Sequence, residues 1–151
     1  MAKQQKIGDI ITMRGQIAEN VNGKELQIFD GRFDTGYKIL EFYIAPSDPT
    51  ASNEIIAKLH TSSTTPSIAV WNWADVQEIA WASWGISTSG SGADFFLLDH
   101  DNMIIENLYL SSYNTVEAGE LNYYITLQKY KIAAWDGALN LVTNLSQAGP
   151  Q

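Results

Sequence analysis

Cysteine is absent from the 151 residues. That single absence removes disulfides, thiol nucleophiles and every cysteine-based zinc site, and it suits folding in a reducing compartment. Basic residues are scarce: 9 Lys and Arg stand against 17 Asp and Glu, for a formal net charge of −8. Nucleic-acid binding draws most of its affinity from cations that neutralise phosphates. No basic run occurs here, the nearest approach being Lys3 with Lys6 and Lys129 with Lys131. The balance argues against direct nucleic-acid contact and against an anionic membrane surface as partner. Long apolar runs are missing too. The polar start Met1-Ala2-Lys3-Gln4-Gln5-Lys6 has no hydrophobic stretch behind it, so neither a signal peptide nor a membrane span is expected. Synthesis in a cytoplasm follows as the expectation.

What is present fits one globular domain over 1–151. An apolar share of 45% with 17% charged residues lies far from a disordered composition, and the chain is long enough to bury a core without covalent staples. Alternating patterns dominate, and alternation is the signature of half-buried strands. Residues 1–8 read as a flexible arm. Ile10 to Ala18 and Glu25 to Phe29 flank Asn20-Val21-Asn22-Gly23, which predicts a hairpin, because Asn-Gly accepts the positive φ angles of a tight turn. Tyr37 to Ala45 is the clearest strand, with Leu40, Phe42 and Ile44 expected on the core face. Pro46 ends it. Glu54 to Leu59 reads as a short strand or one helical stretch. His60 to Ser67 reads as a Ser/Thr-rich loop, mobile or ordered only by a neighbour, and Ser87 to Gly92 as a second flexible loop. Glu78 to Trp84 alternates as a strand, Phe95-Phe96-Leu97-Leu98 reads as a fully buried one, and Met103 to Leu110 and Leu121 to Ile132 complete the set. Asp136 is a suitable cap for a helix over 136–147, where Ala138, Leu139, Val142 and Leu145 recur at helical spacing. About eight strands with frequent turn signals imply an all-β, antiparallel β-sandwich, jelly-roll-like, with a short C-terminal α-helix.

Chemistry-bearing groups are thin. His60 and His100 are the two histidines. Asp99-His100-Asp101 superficially suggests a metal site, but consecutive strand residues point to opposite faces, so a polar hairpin turn at Asp101-Asn102 explains the pattern better. His60 reads as a surface residue. No Gly-x-Ser-x-Gly elbow marks a serine nucleophile, and no pair of carboxylates stands out for glycoside hydrolysis. Asn144-Leu145-Ser146 matches the glycosylation triplet but falls in the predicted helix. No catalytic residue, metal ligand or cofactor is therefore expected, and the chain is read as a non-enzyme.

The tryptophans are the strongest candidates for contact. Trp71, Trp73, Trp81 and Trp84 crowd into one short region, with Trp135 apart. Exposed tryptophans anchor protein interfaces or stack on sugar rings. Trp81 or Trp84 is expected in the core, while Trp71 and Trp73 share one face of an extended segment. Trp71, Trp73, Trp84 and Trp135 are the candidate interface or ligand contacts.

Several segments resemble a group of small virion-associated proteins of marine tailed phages. The resemblance lies in Phe29-Asp30-Gly31-Arg32-Phe33-Asp34-Thr35-Gly36-Tyr37-Lys38-Ile39, Glu78-Ile79-Ala80-Trp81-Ala82 and the stretch from Asp99-His100-Asp101-Asn102 to Tyr109. It continues in Leu121-Asn122-Tyr123-Tyr124-Ile125, Trp135-Asp136-Gly137-Ala138-Leu139 and Asn144-Leu145-Ser146-Gln147. It runs over about residues 25–148 and carries no functional residue with it. It implies a virion structural protein, a minor capsid, cement or decoration subunit, whose partners are other virion proteins and copies of itself in a trimer or larger array. A carbohydrate- or receptor-binding module of a spike or fibre, with a host surface glycan as partner, is the competing expectation.

Overall fold

The structure, a computed structural model, describes residues 5–28, 31, 34–48, 54–85, 95–114 and 119–131. Trp135, the loop expected at 87–92 and the helix expected at 136–147 lie outside the described residues. The described chain is all-β: β1 (Gln5–Lys6), β2 (Ile11–Ile17), β3 (Val21–Gln27), β4 (Thr35–Pro46), β5 (Glu54–His60), β6 (Glu78–Gly85), β7 (Phe95–Leu98), β8 (Asn107–Asn114) and β9 (Leu121–Lys131). No helix long and apolar enough to cross a membrane occurs among them. Gln5–Lys6, inside the arm expected at 1–8, pair with Lys131 and Tyr130.

Two antiparallel sheets form. In one, β9 is central, β4 lies along one side, and β2 and β1 lie end to end along the other. The second has the order β3-β8-β5-β6-β7. A single core joins them. Phe42 and Ile44 of β4 and Leu121, Ile125 and Leu127 of β9 pack in one cluster with Ile55 and Leu59 of β5, Ile79 of β6, and Leu108 and Leu110 of β8. Each such side chain removed from water stabilises the fold by about 1.5–3 kcal/mol before entropy is counted.

Three expectations are corrected. The Asn22-Gly23 pair does not close a hairpin, because β2 pairs with β9 and β3 with β8, in different sheets. The chain turns earlier, with Asn20 at φ 56°, and Gly23 lies within β3 at a register shift between Val21 and Lys24. In β4 the core face changes phase. A bulge between Ile39 and Glu41 turns Leu40 outward, so Ile39 is buried together with Phe42 and Ile44. An inserted residue shifts every later side chain by one face. Finally, β7 is not a buried strand. It is the four-residue edge of its sheet, with Phe95, Phe96 and Leu97 all exposed.

Candidate functional site

The outer face of the five-stranded sheet is covered by its own chain, residues 61–77, and the covering begins with buried polar side chains. Lys58 lies on β5 opposite Trp81 and Ser111, on the face away from the core. Its ammonium spends all three donors: one on Glu78 Oε2, one on the Ser67 carbonyl and one on the Val70 carbonyl, each at 2.9 Å. The other oxygen of Glu78 accepts from the Asn72 backbone N–H and the Trp81 indole N–H, both at 3.0 Å. A buried ion pair persists only when its remaining donors and lone pairs are met in this way.

His60 ties the other end of the loop. It was expected at the surface, but it is fully buried. Its Nδ1 lies 2.7 Å from the Ser62 carbonyl, which can only accept, so the neutral ring carries its proton there. Nε2 then accepts from the Ser111 hydroxyl at 2.7 Å. Burial, ahead of every other influence, holds the imidazole pKa below its ordinary value. Asn22 completes the attachment by bonding both the N–H and the carbonyl of Thr65. The Ser/Thr-rich segment is therefore held by its own domain. It needs no neighbour to order it.

On this anchored loop sit the tryptophans. Trp71 and Trp73 converge on Phe95 of β7: the Trp71 ring lies 5.6 Å from it, tilted, and the Trp73 ring 6.4 Å, nearly parallel. Trp73 also meets the edge of Trp81 at 6.0 Å. Trp81 is buried beneath the loop, on the face away from the core, with its N–H satisfied, whereas Trp73 is 61% exposed. Trp71 is half-buried, and its indole N–H has no acceptor among the described residues. Trp84, on β6, is half-buried against the core and shares that unmet donor. It lies opposite Ile55 and makes no ring contact with the Trp71–Trp73 group among the described residues. Beside the rings, Phe95 and Leu97 are exposed on the same face of β7, while Phe96 points the other way, onto Tyr43. The result is an apolar rim along the edge strand, mounted on a loop that is internally braced.

At the second histidine, Asp99 accounts for the local pattern. Its carboxylate accepts from the Asp101 N–H at 3.1 Å and the Asn102 amide at 2.7 Å, closing a turn before Met103. Among the described residues no cluster of three His, Asp or Glu side chains is placed to hold a metal ion.

Sequence reading missed Phe95, Phe96 and Leu97 as surface groups, because an unbroken apolar run resembles a buried strand. The signal available was its brevity: a four-residue strand suits a sheet edge. It also missed the Lys58–Glu78 pair, for which the sequence carries no local sign. No protein-family model matches the chain, and no curated protein matches it in sequence.

Proposed function

We propose that this chain is a non-enzymatic virion structural protein, a minor capsid, cement or decoration subunit, acting through protein–protein contacts. The observation that carries the reading is the apolar rim formed by Trp73 of the loop with Phe95 and Leu97 of the edge strand. Monomeric soluble proteins seldom leave such groups together at a sheet edge, where they invite pairing with another chain. A braced loop beneath the rim means little ordering entropy is lost when a partner covers it.

The strand orders support a jelly-roll assignment. The runs β2-β9-β4 and β3-β8-β5-β6 interleave early and late strands as two Greek keys do, an arrangement found in viral capsid and lectin domains. β7 would be the strand that leaves the second sheet to lie beside β4, and the Tyr43–Phe96 contact at 4.9 Å fits that position. A terminal helix at 136–147 belongs to the same proposal. The partners are other virion proteins and further copies of the chain, in a trimer or larger array. The net charge of −8 favours a place away from packaged nucleic acid.

Quantitative mass spectrometry of purified virions from the host carrying this gene tests the proposal. A fixed copy number per particle supports it, and absence from the particles overturns it.

A further inference from the structure

The outer face of the four-stranded sheet carries a surface of different chemistry. Opposed residues on neighbouring strands share a face, and the pairings of β2, β9 and β4 set out two adjacent rows: Arg14, Tyr124 and Tyr43, then Gln16, Asn122 and Ala45. They line an open groove of about 460 Å³, within the roughly 300–1,000 Å³ usual for small-ligand sites. Tyr43 and Tyr124 are 43% and 39% exposed. The Tyr43 ring is held edge-to-face by Phe96 at 4.9 Å and 74°, so this wall of the groove is preset.

Most polar groups around the rings are unspent; the Asn122 amide gives one N–H to the Pro46 carbonyl at 3.4 Å. Arg14 and Gln16 are exposed, and neither side chain has a partner among the described residues. Four other cations are engaged: Lys58 with Glu78, and Lys24, Lys38 and Lys129 over the rings of Tyr123, Tyr130 and Tyr37. The acid one row away, Glu41, accepts from the Thr126 hydroxyl at 3.3 Å.

A groove with aromatic walls alone would suit a lipid, and a cation alone would suit a simple anion. Two amphipathic rings beside a guanidinium and two amides match a ligand with an apolar ring face, a rim of hydroxyls and one negative group. We propose that the groove binds a saccharide unit bearing a carboxylate, of the uronic or sialic acid type. Its ring lies against Tyr43 and Tyr124. Its carboxylate pairs with the planar fork of Arg14, a geometry that lysine cannot reproduce, and Gln16 and Asn122 reach its hydroxyls. A chain of charge −8 repels dense polyanions, so a single acidic unit on an otherwise neutral glycan is favoured. This site is independent of the apolar rim and of any place in a virion.

Titration calorimetry with sialyllactose, a glucuronate-containing disaccharide and lactose tests it on the intact chain. The expected result is binding of at least one acidic sugar, ten times or more tighter than lactose. Arg14→Gln and Tyr124→Ala each weaken that binding at least tenfold with an unchanged circular dichroism spectrum, Arg14→Lys weakens it less than Arg14→Gln, and Trp73→Ala leaves it unchanged. No binding of either acidic sugar overturns the proposal. So does equal binding of lactose, or a loss that follows Trp73 instead of Arg14.

Discussion

Lys58 and Glu78 face each other at 2.9 Å with side chains only 2% exposed each, and between them they hold three backbone groups of the loop that carries Trp71 and Trp73. The pair acts as a clamp between the sheet and the loop. Lys58→Met leaves a buried carboxylate and two loop carbonyls unpaired, so a loss of about 3–5 kcal/mol is expected. Urea unfolding measures it. A loss below about 1 kcal/mol would mean that the loop is held by other contacts.

Gly23 permits the second attachment. Its φ of +84° disfavours a side chain, and a Cβ there would overlap the carbonyl oxygen of Ser63. Gly8, at φ +70°, has nothing within 4 Å of its Cβ position. Alanine at position 8 therefore meets only the backbone penalty, about 1–2 kcal/mol, whereas Gly23→Ala costs more because the 61–65 segment must also shift. Thermal unfolding of the two variants side by side gives the comparison.

His60 makes stability depend on pH. Its folded pKa is pushed below the ordinary 6.5 chiefly by burial, so on acidification the unfolded chain takes up this proton before the folded one does. The stabilisation is fully present above about pH 6.5 and is lost as pH falls through the folded value. His60→Gln lowers stability at every pH and flattens that slope. Urea midpoints measured between about pH 7.5 and pH 5 report both effects, and an unchanged slope in the variant would assign the pH dependence to other groups.

Trp81 and Trp73 touch each other but differ in role. Trp81→Phe leaves Glu78 Oε1 with the Asn72 N–H alone among its donors, at a cost of about 1–3 kcal/mol. Trp73→Ala removes an exposed ring and costs about 1 kcal/mol or less. Denaturant curves for the two variants separate the brace from the surface it supports.

Much of the strand content was legible because its periodicity is strong. Leu121, Tyr123, Ile125 and Leu127 alternate inward along β9 as their spacing predicts, and Glu78 to Trp84 forms a strand with Trp81 buried. The failures share a cause: local pattern says nothing about what lies across the sheet. Asn22-Gly23 has the chemistry of a hairpin turn, yet the same positive φ serves a bulge that receives Ser63. His60 and Lys58 look like surface residues until the following loop folds back over them. Phe95 to Leu98 looks buried until the strand order puts it at an edge. For the candidate site, the rings of Trp71 and Trp73 were legible, while their convergence on Phe95 depends on tertiary pairing alone.

The central claim is that the rim of Trp73, Phe95 and Leu97 is a contact surface in an assembled particle. Hydroxyl-radical footprinting of the isolated chain and of the chain within purified virions, read by mass spectrometry, tests it most directly. The account predicts strong oxidation of Trp73 and Phe95 in the isolated chain and marked protection of both in the particle. Equal oxidation in the two states would contradict it.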